Sequence, residues 1–286
     1  MAKKPGIFPT FFISGFECST FLWKDKKRQN LVAETQHDIF AAPDYKTLRH
    51  LGIAVAREGI LWPMVDTAGS YNFFSYRSYY CDMQEQRILP IWDFCHYGYP
   101  DDLDPFTSNF TARFVAYCRV AATYVSAHLP RPYYFTPINE ITFFSFCGGE
   151  WGWVAPYKNT KDDRFRMRMA LCKAAIADVK AIREVLPDAR MIHIDPLVQV
   201  VAPHNRPDLQ PAAYNETYVN TFLAWDIICG KEHPELGGSP EILDIVGASN
   251  YSFGQMEYRE SGPHQVLEPD DDRIKPIFLV PAGRKS

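Results

Sequence analysis

Six times along this chain a short apolar run ends in a polar residue, and five of those runs are separated from the next by a helix-like stretch. That alternation restricts the fold more than any other feature. Phe11 to Gly15, Ile53 to Ala56, Ile88 to Phe94, Tyr133 to Ile138, Met191 to Ile194 and Ile242 to Ala248 read as strands. Tyr45 to Leu51, Tyr79 to Gln86, Phe106 to His128, Asp162 to Leu186 and Tyr214 to Cys229 read as helices. The clearest is Asp162 to Leu186, where Met169, Cys172, Ala175, Ile176, Val179 and Ile182 recur at spacings of three and four. Pro187 stops it.

Strands that alternate with helices pair in parallel, with the helices as crossovers. Two α/β architectures satisfy this, a (β/α)8 barrel and a doubly wound sheet, and both bind ligands beyond the C-terminal ends of their strands. Glu17, Arg57, His96, Glu140, Asp195 and Asn250 fall just after the six strands. No glycine-rich phosphate loop follows the first strand, which weakens a dinucleotide-binding reading. The expectation is a TIM-type barrel with about six βα units, one domain over residues 1–286, without repeat, low-complexity tract or interdomain linker.

Composition narrows the function. A formal charge of −4 supplies no basic field for nucleic acid, and the basic cluster Lys24 to Arg28 is short. Seven cysteines without CxxC spacing suit reduced thiols in a cytoplasmic setting better than a disulfide framework or a zinc site. Met1 to Pro9 has no apolar stretch long enough for a signal peptide, and no segment approaches the roughly 20 apolar residues of a membrane span. Aromatics at 15% either fill a large core or line a cleft that stacks on sugar rings.

The chemistry centres on Asn139-Glu140, at the end of the fourth apolar run. A carboxyl there suits a proton donor, and the amide beside it suits a sugar hydroxyl; the plainer reading is a solvent-facing glutamate that caps the next element. Glu150-Trp151-Gly152-Trp153 follows in a long loop, where the indoles stack on a pyranose or pack the loop onto the rim. His96 is either a ligand for sugar hydroxyls or a satisfied structural histidine. Arg57 orients a nearby carboxylate, pairing with Glu58 or with another acid at the barrel mouth. His193 and Asp195 are two apart and share a strand face, so a metal site with His204 or His96 is a further reading.

Several segments together resemble the family 1 β-glucosidases of the (β/α)8 glycoside hydrolase clan. They are Phe12-Ile13-Ser14-Gly15-Phe16-Glu17, Arg57-Glu58-Gly59, Trp92-Asp93-Phe94-Cys95-His96, Thr136-Pro137-Ile138-Asn139-Glu140 and Asp244-Ile245-Val246-Gly247-Ala248-Ser249-Asn250-Tyr251, in the expected order. The resemblance implies a carbohydrate or glycoside substrate, hydrolysis of a β-linked glycoside with retention, and no cofactor or metal. Glu140 corresponds to the general acid/base, Asn139 and His96 to sugar ligands, Arg57 to the support of the nucleophile and Tyr251 to a contact with it. Glu17 matches loosely as a substrate ligand.

The family's nucleophile is a glutamate after a seventh strand, and no acid follows Lys275 here. Either Ile277 to Val280 is a minimal seventh strand, or Asp270 to Pro276 leads into a helix that is cut short. The second is favoured, because a whole helix is otherwise missing. Glu257 and Glu260 are remote substitutes. A barrel lacking its last strands exposes two unpaired edges, so self-association is expected. Catalysis is expected to be weak or lost, and a non-catalytic sugar-binding protein is the main alternative.

Overall fold

The computed structural model describes residues 6–275. They form two compact units, one made of 6–196 with 222–249 and the other of 197–221 with 250–275.

The first unit holds six strands: β1 (Ser14–Gly15), β2 (Val55–Gly59), β3 (Leu89–Asp93), β4 (Tyr134–Thr136), β5 (Arg190–Pro196) and β6 (Ile245–Ser249). Each pairs in parallel with the strand before it, in unbroken chain order. A doubly wound sheet reverses its order at a switch point. This sheet does not, and it is a curled part of a (β/α) barrel. The helices α1 (His37–His50), α2 (Arg77–Gln86), α3 (Ser108–His128), α4 (Ile141–Ser145), α5 (Lys161–Val185) and α6 (Leu223–Ile228) occupy the connections.

Successive residues of a strand face opposite sides, and the two sides carry separate cores. Val55, Ile91, Tyr134 and Ile192 pack together on the inner side, with Leu89, Ile194 and Ile245 against them. Ala56, Trp92, Phe135 and Met191 belong to the larger core shared with the helices. Arg57 and Asp93 lie one alternation further along β2 and β3 than Val55 and Ile91, so they share the inner side and stand nearer the C-terminal ends.

The outer side carries its own polar node. Glu58 accepts from the Tyr45 hydroxyl at 2.6 Å and meets His37 Nε2 at 3.1 Å. His37 Nδ1 reaches Asp44 at 2.7 Å, and Phe16 stacks on the imidazole. This node ties α1 to β2 and draws Glu58 away from Arg57. An Arg57–Glu58 pair, one of the two pairings the sequence offered, does not form.

Two expected elements are shorter than the sequence suggests. Only Ser14–Gly15 of the first apolar run pairs as a strand, while Phe11 and Phe12 stay exposed and so supply no core-facing side. The helix expected over Tyr214 to Cys229 is interrupted. A helix at Gln210–Asn215 runs into a π-helical turn at Glu216–Asn220, and α6 begins only at Leu223. The apolar stripe fails there, because Tyr214, Tyr218 and Val219 are exposed while Glu216 and Thr217 are buried. The Thr217 hydroxyl is bonded to both Val200 N and Val200 O.

The second unit is small. Gln199–Val201 pairs in parallel with Gln255–Glu257, which forms an antiparallel hairpin with Gln265–Val266. Val200, Ala202, Ala213 and Tyr258 make its core. The stretch Ile277 to Val280, considered as a seventh strand, lies outside the described residues. Among the described residues no helix is long and apolar enough to cross a membrane, and all seven cysteines are free thiols.

Burial opposes the charged form of His37, but Glu58 and Asp44 outweigh it and raise the imidazole above its ordinary value. A group whose folded value is raised stabilises the fold fully below its unfolded value, near 6.5, and loses that contribution as pH rises through the folded value. His37→Gln is therefore expected to destabilise by about 2 kcal/mol near pH 6 and by progressively less toward pH 9. Urea unfolding of both proteins across that range checks it; a difference independent of pH would contradict it.

Candidate active site

The inner side of the sheet is aliphatic and aromatic until Arg57, whose charge must be met within the barrel. Asp93 meets it: Arg57 Nη2 donates to Asp93 Oδ2, and that carboxylate has no exposed surface. Burial opposes ionisation of Asp93, yet the guanidinium and the His96 ring outweigh it and hold the carboxyl below the usual carboxylate range.

From this pair a directed chain of hydrogen bonds runs outward. Arg57 Nη2 also donates to Asn139 Oδ1 at 2.6 Å. That contact fixes the orientation of the amide, so Asn139 Nδ2 faces His96 Nε2 at 3.1 Å and the Tyr97 hydroxyl at 2.8 Å. His96 Nδ1 lies 2.9 Å from Asp93 Oδ2. With an ionised carboxylate as partner, Nδ1 carries the proton and Nε2 accepts from the amide. The Tyr97 hydroxyl accepts from Asn139 and donates its single proton to Glu140 Oε2.

The loops that carry these groups depart from ordinary backbone geometry. Glu140 has φ of 44° and Tyr97 φ of 62°, both in the left-handed region that bulky residues avoid. Gly98 follows Tyr97 where any side chain would collide with Thr20. Glu140 N donates to Ile194 O at 2.9 Å and Asn139 N to Cys95 O at 3.0 Å, which seat the turn between β5 and the loop after β3. Glu140 is 3% exposed.

Four of the residues singled out from the sequence thus join one network: Arg57, His96, Asn139 and Glu140. Glu17 borders it, its carboxylate 3.5 Å from His96 Nε2 and its side chain 48% exposed. Burial opposes ionisation of Glu17, but His96 and Ser19 hold its carboxyl low. Trp151 is packed against Phe143, Phe146 and Trp153, whereas Trp153 is 40% exposed. Asn250 and Tyr251 belong to the second unit, where Tyr251 stacks on Phe253. Glu257 and Glu260 are there too, ion-paired with Arg273 at 2.7 Å and Arg206 at 3.2 Å.

Asp93 and Tyr97 were missed as site residues. The two-residue alternation from Ile91 could have pointed to Asp93. For Tyr97 there was no signal, because its position depends on a backbone conformation that its residue type disfavours.

The metal reading of His193 and Asp195 does not hold. Both point to the helix side of β5, and among the described residues they join no cluster of ligands. His193 Nε2 meets Ile242 O at 3.0 Å, and burial pushes the ring down to about 4. Asp195 accepts from Thr142. His204 stands in the second unit beside Asp272. Cys18, Asp93 and His96 come closer to a ligand set, with Cys18 Sγ 3.2 Å from His96 Nδ1. Arg57 already holds the Asp93 oxygen that faces them, and burial followed by the Asp93 charge pushes the Cys18 thiol well up, so the trio is a hydrogen-bond node.

No family model matches the chain, and no curated protein matches it. Solved structures do. The family 1 β-glucosidase from Thermotoga maritima aligns with a TM-score of 0.66 at 19% identity, covering 82% of this chain and 58% of that one. The Thermotoga maritima β-glucosidase in complex with azafagomine gives 0.64 at 18%, with the same coverages. Its complex with glucoimidazole gives 0.64 at 20%, covering 77% and 55%. The likeness is one of fold, and the chain spans little more than half the length of those enzymes.

If Arg57 and Asp93 anchor the network, removing one leaves the other's charge poorly compensated. Arg57→Gln is expected to cost about 3 kcal/mol, discounted for the partial exposure of the guanidinium. Arg57→Gln with Asp93→Asn should cost less than the two single changes summed. A double-mutant cycle by urea unfolding reads the coupling, and strict additivity would show that the pair is not the anchor.

Proposed function

We propose that the first unit binds a β-linked glycoside at the C-terminal ends of its strands, with Glu140 as the proton-transfer group. The observation that carries this reading is the convergence of Arg57, His96, Asn139 and Glu140, from three strand ends, on one hydrogen-bonded network. The fold shared with family 1 β-glucosidases supports it. Asn139, His96 and half-exposed Glu17 are the groups offered to sugar hydroxyls. Trp153 is the more accessible of the two loop indoles for stacking on a sugar face.

In the reaction, Glu140 protonates the leaving oxygen as the glycosidic C–O bond breaks and then, as its carboxylate, takes a proton from the water whose oxygen bonds to the anomeric carbon. The Tyr97 hydroxyl donates to Oε2 of Glu140, one of the two oxygens of this proton-transfer group. Retention needs a second carboxylate about 5–5.5 Å from the first. Three other acids stand by this network: half-exposed Glu17 beside His96, Asp93, held by Arg57 and His96, and Asp195, held by Thr142. Asp93 and Asp195 are engaged by these partners, and Glu17 accepts from Ser19 N at 3.1 Å beside His96, so none of the three is offered as a nucleophile. Binding without appreciable turnover is therefore the second reading, and the one expected of this chain when assayed by itself.

The test pairs turnover with binding. Hydrolysis of p-nitrophenyl β-glucoside is expected to be weak, and Glu140→Gln should lower any turnover by roughly 100-fold or more. Ligand-observed NMR should show sugar binding to both proteins. Rapid Glu140-dependent hydrolysis would overturn the expectation of weak turnover. Turnover indifferent to Glu140→Gln would overturn the role of Glu140, and absence of sugar binding would overturn the reading as a whole.

A further inference from the structure

Asp195 takes no part in the proton transfer described above, yet it is built into the turn that presents Glu140. Its carboxylate, 1% exposed, stands one residue before the end of β5. Thr142 N donates to its two oxygens at 3.0 and 3.3 Å, and the Thr142 hydroxyl donates to Oδ2 at 2.7 Å. Glu140 N donates to Ile194 O. The residues on either side of Ile141 are thus tied to two consecutive residues of β5. Between those ties Glu140 keeps its left-handed backbone. The first amides of a helix have no intrahelical acceptors, so the first turn of α4 depends on outside ones, although a π-helical turn over Phe146–Glu150 continues the helix beyond it.

We propose that Asp195 is a positioning residue whose carboxylate latches the Glu140 turn to β5, and that the latch loosens when that carboxyl takes up a proton. The groups that face it are Thr142 on α4, Arg168 and Cys172 on α5, and Glu140 itself. His193 shares its strand face and is neutral. Burial pushes the Asp195 carboxyl up to about 7; Thr142 and Arg168 work against burial, and Glu140 adds to it. Both forms are therefore populated near neutrality.

In the ionised form Asp195 accepts three hydrogen bonds as a charged group. In the acid form the proton on Oδ2 is given to the Thr142 hydroxyl, reversing that bond, and the Thr142 amide is left with a neutral acceptor. Charge-assisted bonds are roughly twice as strong as neutral ones, so the turn is held less firmly. The role of Asp195 in sugar handling rests on the function proposed for Glu140; the latch itself does not.

Backbone amide exchange of Thr142, followed by NMR from pH 5.5 to 8.5 and corrected for intrinsic exchange, tests the latch in the unmodified protein. Protection is expected to be about fivefold lower below pH 7 than above it. Asp195→Asn copies the acid form, with its oxygen accepting from the amide and its NH2 donating to the hydroxyl. It should show the lower protection at every pH. A flat wild-type profile, or an Asp195→Asn profile that still follows pH, would overturn the proposal. A parallel titration with methyl β-glucoside should show affinity that follows pH in the wild type and not in Asp195→Asn. Loss of all sugar binding with the amide result intact would sink the glycoside reading and leave the latch standing.

Discussion

A guanidinium inside a barrel has to be answered by a charge that is also inside. Arg57 stands one step above a layer of Val55, Ile91, Tyr134 and Ile192, and Asp93 on the neighbouring strand answers it. The pair is worth little as a source of stability, since desolvation of both groups offsets much of their attraction. Its weight lies in direction. Because Arg57 only donates, the oxygen of Asn139 must face it, and the amide nitrogen must then face His96 and Tyr97. Because Asp93 only accepts, the proton of His96 must sit on Nδ1. The last proton in the chain, that of Tyr97, is donated to Glu140. One ion pair thus decides the donor and acceptor state of every group as far as the candidate catalytic carboxylate.

The sheet separates this network from a second polar system. Arg57 and Glu58 are adjacent in sequence and opposite in charge, yet strand geometry sends them to opposite sides. Glu58 joins His37, Tyr45 and Asp44 behind β2, and Asp195 joins Thr142 behind β5. The outer groups fix where helices and turns sit; the inner groups point into the cleft. Glu140 is where the two systems meet, since its charge acts on the Asp195 carboxyl.

The legible part of the site follows from the same alternation. In a parallel barrel the C-terminal ends of the strands gather at one end, so Arg57 in β2, and His96, Asn139 and Glu140 just beyond β3 and β4, could be named from short apolar runs. What escaped is what depends on contact across elements. Arg57 could have paired with Glu58 or with another acid, and only the packed sheet decides for Asp93. Asp195 carried a chemistry that suggested a metal, and only the position of Thr142 shows it as an acceptor. The interrupted helix near Thr217 turns on a hydroxyl that satisfies the Val200 backbone, which no periodicity records.

Two residues of the network, Glu140 and Tyr97, adopt left-handed backbone, at a cost of about 1 kcal/mol or more each. Ile138 and Ile141 on either side of the Glu140 turn are buried, and Gly98 beside Tyr97 packs tightly against Thr20. What the two conformations do together is bring a phenol and a carboxylate from different loops into contact. The surrounding bonds, from Ile194, Cys95, Asn139 and Asp195, are enough to hold them there. Strain that is retained at the meeting point of a charge-oriented network, and offset by bonds from three strand ends, is what a preorganised polar site requires.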